Sequence, residues 1–356
     1  MSNLGGSYNR ERNSEELMIR EQMKRGCQMI QIAIFNNKGG VGKTTYLFHI
    51  ANLLADAGIC TLMVDCDSQC NLTAYALDDS EIKKSWSERG NSIYRVIQPV
   101  SEGVGDIRMR QALCIGDNLY LVPGDIDLNI YEDRLGETWA SASVQPASIR
   151  VQIAIYRYIK FAAQKCAAEV VLIDLGPNLG ALNRTVLGGC DYFITPLSPD
   201  LFSIKGTQNL GNKFISWHDE WENNLRKWKR PNSGISLDEL PHGAPKFLGY
   251  VTQQHNIRDS KSGMTIGWSI FGDKVDEAVR KNIVEQLGPL GQNDERENYL
   301  LGKIPNLHSL VPYSLNAHKP VYKCNSSDGL KGSHISKARE SKNLYQDIID
   351  AIQRLL

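Results

Sequence analysis

The sequence predicts an α/β fold, a three-layer, doubly wound and mostly parallel sheet, from three observations. Short apolar segments of strand length alternate with segments whose apolar residues recur at helical spacing. A glycine-rich turn joins the first strand candidate to the first helix candidate. Acidic residues stand at the ends of two further strand candidates, which is where α/β folds bind ligands.

Length and composition limit the domain organisation. The 356 residues suffice for one large or two small domains with a sizeable core. Residues 1–27 are polar and of mixed charge, with one short amphipathic stretch at Glu15–Lys24. They predict an N-terminal extension that carries no secretory signal and is too short for a helix-turn-helix domain. Residues 28–356 are expected to form one domain.

Charge and cysteine content limit which kinds of function the chain can have. The chain has 40 basic and 40 acidic residues, so any contact with nucleic acid must come from a local patch rather than from net charge. The eight cysteines are scattered and form no C-x-x-C motif, which predicts reduced thiols in a cytoplasm rather than a disulfide scaffold. No apolar stretch approaches the roughly 20 residues that a membrane span requires.

The strand and helix candidates can be placed along the chain. Seven segments have the length and apolar content of buried strands: Met29–Phe35, Cys60–Val64, Leu119–Val122, Val170–Leu175, Tyr192–Thr195, Phe247–Thr252 and Leu300–Ile304. Helices are predicted at Arg150–Ala168 and Lys205–Trp228. Residues 78–115 and 253–299 fit the alternation poorly and are predicted to be excursions from the core, which at such length are usually functional or locally folded.

A phosphate-binding loop follows the first strand candidate. Its eight residues are Lys38, Gly39, Gly40, Val41, Gly42, Lys43, Thr44 and Thr45. Glycines let successive backbone N–H groups converge on an anion, and the N-terminus of the following helix adds partial positive charge. At this spacing Lys43 reaches the β- and γ-phosphates, and the Thr44 hydroxyl ligates Mg²⁺. The alternative is a glycine-rich turn that binds no nucleotide, but that alternative leaves two lysines at the required spacing unexplained.

The loop departs from the ordinary phosphate-loop pattern, G-x-x-x-x-G-K-[ST], in an informative way. Asn37 stands where that pattern has glycine, and Lys38 adds a second lysine before the paired glycines. This arrangement resembles the deviant Walker A loop of the ParA/MinD family of ATPases. The resemblance implies that two subunits sandwich ATP and that Lys38 of each subunit reaches the partner's phosphates. An additional cation near developing phosphate charge favours phosphoryl transfer.

Two aspartates follow the second strand candidate. Asp65 and Asp67 lie in the segment 64–73, at a strand end where α/β folds place ligands. The segment is similar to the second signature of the ParA/MinD family, although Ser68 replaces the usual proline. The resemblance implies that Asp67 positions the attacking water and that Asp65 supports the metal region. The alternative role for both residues is capping of the following helix.

A third acid ends the apolar run Val170–Ile173. Asp174 is then in the Walker B arrangement, which predicts that it holds Mg²⁺ directly or through water. Gly176 is expected to bring its backbone N–H near the γ-phosphate. Pro177 completes the Asp-x-x-Pro pattern that is frequent in the family.

The resemblance covers roughly residues 29–350, with the two excursions poorly matched. It implies that the regions after the last two strand candidates line an adenine pocket, to which Thr252, Gln253 and Pro305 are assigned. Together with the three phosphate-site motifs, it implies a P-loop NTPase of the deviant Walker A type. The expected reaction is Mg²⁺-dependent hydrolysis of ATP to ADP and phosphate.

The sequence allows two kinds of surface on which such an ATPase could act, DNA and membrane. ParA-type relatives bind nonspecific DNA, and MinD-type relatives bind membrane. Two basic segments suit DNA phosphates, namely 226–230 and the group formed by Lys331, Lys337, Arg339 and Lys342. The apolar stripe before the first segment predicts core packing; it consists of Trp217, Trp221, Leu225 and Trp228. The C-terminal segment 344–356 lacks a basic polar face, so we expect it to pack on the sheet rather than on a membrane.

The leading expectation is a homodimer on ATP that serves DNA partition or cargo positioning on nonspecific DNA. A stimulating partner protein and a cytoplasmic, nucleoid-associated location go with it. One alternative is the ATPase subunit of a regulatory or defence complex that recruits a protein effector, with residues 253–299 as the docking segment. Another is a metal-cluster carrier, which the lone Cys324 near the C-terminus disfavours because carriers usually show C-x-x-C there.

Overall fold

Eight strands form the middle layer of the fold in a computed structural model of the chain. The structure describes residues 29–141, 148–198, 200–228, 240–253, 274–292, 296–304, 307 and 309–356. The strands are β1 (Ile30–Ile34), β2 (Thr61–Cys66), β3 (Leu113–Gly116), β4 (Leu119–Val122), β5 (Val170–Leu175), β6 (Tyr192–Leu197), β7 (Lys246–Gln253) and β8 (Leu300–Ile304). The predicted N-terminal extension, 1–27, lies outside the described residues.

Helices cover both faces of this sheet. They are α1 (Lys43–Asp56), α2 (Asn71–Ala76), α3 (Asp79–Trp86), α4 (Ile93–Ser101), α5 (Leu128–Ser141), α6 (Ser148–Gln152), α7 (Ala154–Cys166), α8 (Ala181–Gly188), α9 (Leu201–Trp228), α10 (274–287), α11 (Val311–Ala317) and α12 (Ser333–Gln353). Within α10, Arg280–Val284 forms a π-helical turn.

The strand order is β3-β4-β2-β5-β1-β6-β7-β8. Neighbouring strands are parallel except β3 and β4, which are antiparallel. The predicted doubly wound, mostly parallel sheet is therefore confirmed. Strand β1 lies between β5 and β6, so the loop after β1 opens at the point where the chain's path across the sheet reverses, which is the usual ligand site of such folds.

Two apolar cores, one on each face, hold the layers together. Alternate residues of a strand point to opposite faces. Accordingly Ile32 and Ile34 of β1 pack in one core with α1 and α12, whereas Ala33 and Phe35 pack in the other core with α4 to α9. The interior strands β2 and β5 are buried along their whole length, as parallel strands covered on both faces must be.

The C-terminal helix packs on the sheet, as the charge of its polar face predicted. Tyr345, Ile348 and Ile352 of α12 are buried in the same core as α1. A Cβ atom at Gly302 of β8 would lie 2.5 Å from Cγ1 of Ile348, so only glycine allows this close approach. On the other face, Trp217, Trp221 and Leu225 of α9 are buried, which confirms core packing for that part of the stripe. The side chain of Trp228 lies outside the described residues.

The structure differs from the predicted elements at several points. Strand β6 ends at Leu197, two residues later than predicted, and α9 begins at Leu201, four residues earlier. The 78–115 excursion contains α3, α4 and the strand β3, so most of it is regular structure. A capping box between Asp78 and Glu81 starts α3. The single helix predicted at 150–168 is two helices, because the chain breaks at Ile153 between α6 and α7. Strand β2 ends two residues later than predicted, at Cys66, which places Asp65 inside the strand.

Candidate nucleotide site

The loop between β1 and α1 has the backbone of an anion site. Gly40 and Gly42 have φ of 73° and 76°, a left-handed conformation that other residues adopt only with strain. Helix α1 begins directly after Gly42, and the Tyr46 N–H donates the first helical hydrogen bond to the Gly42 carbonyl at 2.9 Å. The earlier N–H groups of this 14-residue helix have no partner within the helix, so they face the loop with the positive end of its dipole.

Asn36 anchors the loop to the neighbouring strand, and the sequence had not identified this residue. Its side-chain amide donates to the Pro196 carbonyl of β6 at 2.6 Å, and its carbonyl oxygen accepts from the Lys38 N–H at 2.9 Å. Asn37 packs against α9, since a Cβ atom at Gly206 would lie 3.0 Å from its Oδ1. The two asparagines therefore fix the start of the loop against the β6–α9 connection.

Lys43 points its ammonium into the interior of the site. The residue is 8% exposed, and its Nζ donates to the Lys38 carbonyl at 3.3 Å. Burial lowers the pKa of this ammonium, and the nearby carboxylates of Asp174 and Asp67 oppose the change. The buried cation thus faces both predicted carboxylates.

Asp174 and Thr44 form the contact expected of a magnesium site. The Thr44 hydroxyl donates to Oδ2 of Asp174 at 2.6 Å. Asp174 is fully buried, and its other oxygen, Oδ1, has no hydrogen-bond partner among the described residues. Burial raises the pKa of this carboxyl, and the charge of Asp65 raises it further. A buried carboxylate with one open oxygen beside a hydroxyl is an oxygen donor set that suits Mg²⁺.

Asp65 lies next to Asp174 in the sheet but has different partners. The two residues are opposite each other in the β2–β5 register. Oδ2 of Asp65 accepts from the Thr73 N–H at 2.8 Å and from the Thr73 hydroxyl at 2.7 Å, and Oδ1 accepts from the Asp67 N–H at 3.1 Å. Both oxygens are thus used by the chain itself. In this structure the carboxylate holds the 67–73 loop in place, so its support of the metal region is indirect.

Asp67 stands at the edge of the same site. It is 7% exposed, and its Oδ1 accepts from the Gln69 N–H at 3.0 Å. A Cβ atom at Gly176 would lie 3.2 Å from that oxygen, so Asp67 is beside the backbone after β5. Asn183 of α8 holds this backbone, because its amide donates to the Gly176 carbonyl at 2.8 Å. The Asp67 carboxylate and the Gly176 backbone therefore lie side by side, and their roles toward the water and the γ-phosphate stay predictions.

Lys38 forms an ion pair within its own chain. Its Nζ lies 2.5 Å from Oδ2 of Asp200, which follows β6. The two side chains are 31% and 36% exposed, so the pair is at the rim of the site. The contact of Asp200 with Lys38 had not been predicted from the sequence.

The residues assigned to adenine are only partly described. Thr252 is buried at the end of β7, and its hydroxyl has no hydrogen-bond partner among the described residues. The side chain of Gln253 and the whole of Pro305 lie outside the described residues. The adenine pocket therefore stays a prediction.

Other predicted features can also be placed. The four basic residues of the second segment, Lys331, Lys337, Arg339 and Lys342, are exposed at and near the start of α12. In the first segment Arg226 is exposed, and the side chains of 227–230 lie outside the described residues. The seven cysteines that the structure describes are free thiols.

Two features of the described residues concern metals and membranes. No group of three or more His, Cys, Asp or Glu side chains there could hold a metal ion. Magnesium in nucleotide sites usually takes one or two protein groups together with substrate phosphates, so it needs no such cluster. Every helix in the described part of the chain is too short or too polar to cross a lipid bilayer.

Comparison with known proteins places the chain in a family. A family model described as an AAA domain (AAA_31) matches residues 29–227, more than half of the chain. The uncharacterized protein MJECL24 of Methanocaldococcus jannaschii is 30% identical over 185 residues, which are 51% of this chain and 63% of that protein. The chain thus spans less than two thirds of that relative. The chromosome-partitioning ATPase Soj of Treponema pallidum is 27% identical over 246 residues, 68% of this chain and 79% of Soj.

A solved structure agrees with these matches. Protein DIP2308 from Corynebacterium diphtheriae is 27% identical, with a TM-score of 0.63 over 83% of this chain and 98% of that chain. The matched region 29–227 contains the glycine loop, both signature carboxylates and the Walker B strand. The chain therefore belongs to the AAA_31 family of AAA domains, and its motifs together with the partitioning relative identify it as a P-loop NTPase of the ParA/MinD type.

Proposed function

We propose that this chain is a Mg²⁺-dependent ATPase that dimerises on ATP and acts in DNA partition or cargo positioning on nonspecific DNA. The observation that carries the ATPase is the convergence of the Lys43 ammonium with the carboxylates of Asp67 and Asp174 and the Thr44 hydroxyl. The proposed domain runs over 28–356, with 1–27 as an extension.

Each residue of the site has a proposed task. The loop amides of 38–45 and Lys43 hold the β- and γ-phosphates. Thr44 and Asp174 hold Mg²⁺, which when bound offsets negative charge on those phosphates. The Asp67 carboxylate orients a water for attack on the γ-phosphorus; the bond to the β–γ bridging oxygen breaks, and ADP and phosphate leave. Asp65 keeps the Asp67 loop in position through its three hydrogen bonds.

Dimerisation is proposed from Lys38 and from the family. The Lys38 ammonium lies at the exposed rim of the site, whereas that of Lys43 is buried, and this exposure supports a contact between Lys38 and a second copy. Thr252, Gln253 and Pro305 are proposed to contact the adenine.

The first experiment measures nucleotide binding and dimer formation. Calorimetry with Mg-ATP should give heat of association, and analytical ultracentrifugation should show a dimer with ATP and a monomer with ADP. Asp67→Ala should slow hydrolysis and preserve the ATP dimer. No heat with ATP would overturn the ATPase, and a monomer under all conditions would overturn the sandwich.

Binding to DNA is proposed from the exposed charge at the start of α12. Between 331 and 342 the sequence has four basic residues and one acidic residue, Glu340. The opposite side of this helix, with Ala338, Ser341 and Tyr345, is buried, so the helix is held in place. Clustered cations on a fixed helix suit sequence-independent contacts with phosphates. The Treponema relative is named a chromosome-partitioning ATPase, and this name also supports the proposal of DNA binding.

The second experiment measures binding to random duplex DNA. ATP-dependent binding should weaken steeply with salt, and Lys337→Ala with Lys342→Ala should reduce the log–log salt slope by about 2. Lys83→Ala with Lys84→Ala, on the exposed surface of α3, is the matched control and should leave the slope unchanged. Equal binding with ADP, or none at low salt, would overturn the partition role and favour a complex that recruits a protein effector. We expect the ATP dimer on the nucleoid in the cytoplasm.

A further inference from the structure

The Lys38–Asp200 ion pair joins two loops that are 162 residues apart in the chain. It forms because β1 and β6 are adjacent and parallel, so the loops at their carboxyl ends share one edge of the sheet. Asn36 ties the same two connections together through the Pro196 carbonyl. In the proposed dimer Lys38 contacts the second copy. In the single copy that the structure describes, a carboxylate of the same chain, Asp200, holds it.

The exposure of this pair indicates a contact that can be broken. Each side chain is about a third exposed, with 31% for Lys38 and 36% for Asp200. Ion pairs with this much solvent contribute little, because water and salt screen them. A triphosphate carries several negative charges and competes for the ammonium far better than one carboxylate does. The buried Lys43, by contrast, is fixed within the site.

We propose that Asp200 is a positioning residue that holds Lys38 within its own subunit and sets the threshold for ATP-driven dimerisation. This inference rests on the proposed function. When two ATP-bound copies meet, each Lys38 leaves Asp200 for the partner's phosphates. An interaction present in the monomer and absent from the dimer opposes dimerisation by its own free energy. A symmetric dimer releases two such pairs.

The size of the effect follows from the exposure. Removing one exposed ion pair changes an equilibrium by about 1.5- to 5-fold, so removing both should tighten the dimer by about 2- to 25-fold. Asp200→Asn keeps the size of the side chain and removes its charge. Asp200→Glu keeps the charge and should leave the dimer affinity close to that of the parent protein.

The matched control is another ion pair of similar length and exposure. Lys323 and Asp56 lie 2.7 Å apart with side chains 39% and 38% exposed. Asp56→Asn removes this pair, which joins α1 to the segment before α12 at the other end of the helix from the phosphate loop.

The experiment measures the dimer dissociation constant with ATP by analytical ultracentrifugation, in an Asp67→Ala background that slows hydrolysis. Asp200→Asn should lower the constant, and Asp56→Asn should leave it unchanged. When Lys38→Met is also present, Asp200→Asn should no longer lower the dimer dissociation constant, because no ammonium remains to be released. An unchanged or weaker dimer in Asp200→Asn would overturn the proposal.

A second measurement separates this inference from the proposed function. Acylation of Lys38 in the nucleotide-free monomer, followed by mass spectrometry, should be faster in Asp200→Asn than in Asp56→Asn. This rate needs no dimer and no ATP. If the parent protein stays monomeric with ATP but acylation of Lys38 is faster in Asp200→Asn, the ATP-sandwiched dimer is wrong and the intramolecular restraint of Lys38 stands. Equal acylation rates would overturn the restraint itself.

Discussion

Asp65 and Asp174 are two buried carboxylates that lie side by side near the carboxyl ends of β2 and β5 and have different surroundings. Both are fully buried and opposite each other in register. Asp65 accepts three hydrogen bonds from Thr73 and Asp67, whereas Asp174 accepts one from Thr44 and keeps one oxygen without a partner among the described residues. Burial raises the pKa of each, to about 6 for Asp65.

The difference shows how to tell a structural carboxylate from one that is ready to bind a cation. A buried acceptor without a donor costs free energy, so it persists where something else supplies the missing interaction. Asp65 is satisfied by its own loop and stabilises the chain. Asp174 is left open beside a hydroxyl and the phosphate loop, where Mg²⁺ would complete it. The two residues should therefore respond in opposite ways to substitution.

The largest effect is expected from Asp65→Ala. Its removal leaves two backbone N–H groups and the Thr73 hydroxyl without an acceptor in a dry site, which should lower the free energy of unfolding by about 3 kcal/mol. Urea denaturation measures this difference. A loss below about 1 kcal/mol would contradict the structural role assigned to Asp65.

Asp174→Asn should show the opposite pattern. The free energy of unfolding should stay the same or rise, because the substitution removes a buried charge next to Asp65. Hydrolysis of Mg-ATP should fall by about 100-fold, because an oxygen that would hold the metal is lost. The increase in melting temperature that Mg²⁺ gives in the presence of ATP should disappear too. Hydrolysis at the parent rate would contradict a metal role.

His49 of α1 is a buried base whose two ring nitrogens both have hydrogen-bond partners, as both carboxylate oxygens of Asp65 do. Its Nε2 accepts from the Val321 N–H at 2.9 Å, so Nδ1 carries the proton that it shares with the Thr45 carbonyl at 2.6 Å. Burial lowers the pKa of this imidazole to about 4. An unfolded chain binds the proton near the ordinary pKa of about 6.5, so stability is complete above that pH and falls as pH drops toward 4.

The pH effect has a definite size and control. When the pH falls from 7 to 5, protonation of His49 in the unfolded chain should lower the free energy of unfolding by about 2 kcal/mol. The carboxyls of Asp65 and Asp174 act in the opposite direction, because raised pKa values favour the folded state as pH falls. The contribution of His49 is therefore the difference between the parent protein and His49→Gln, measured by urea denaturation at both values of pH. Parallel pH dependences in the two proteins would contradict it.

The smallest effects should come from the two hydroxyl donors. Thr73→Val removes one donor to Asp65 and also the acceptor for the Gly124 N–H at 2.7 Å, so about 2 kcal/mol of stability should be lost. Thr44→Val should cost about 1 kcal/mol, because Asp174 is already incompletely satisfied. Thermal or urea unfolding of the two variants compares them directly. A larger loss for Thr44→Val would reverse the assignment of the two carboxylates.

Much of the phosphate site was predictable because its parts are local. The glycines, Lys43 and Thr44 all lie within residues 39–44, and the positive φ values of Gly40 and Gly42 follow from residue type. Asp65 and Asp174 were predictable because carboxyl ends of parallel strands share one edge of a sheet. The sequence could not tell their roles apart, since the donors to Asp65 come from a loop whose path depends on Cys70 in a left-handed conformation.

Contacts between distant segments could not be predicted. The pairing of Lys38 with Asp200 requires β1 and β6 to be neighbours, which no local pattern states. Strand β3 was missed because its four residues alternate between half-buried and exposed positions and pair only with β4. The break at Ile153 was missed because the residues on both sides keep helical spacing and contain no glycine or proline.

The position of β1 has a consequence for motion. This strand is hydrogen-bonded on both sides, to β5 and to β6, and its residues Ile32, Ala33 and Ile34 are at most 2% exposed. Its amide protons should exchange with solvent only when the whole domain opens. The phosphate loop is thus attached to the last part of the molecule to open. Conformational changes during ATP turnover should therefore occur in the β5–α8 and β6–α9 connections rather than in β1.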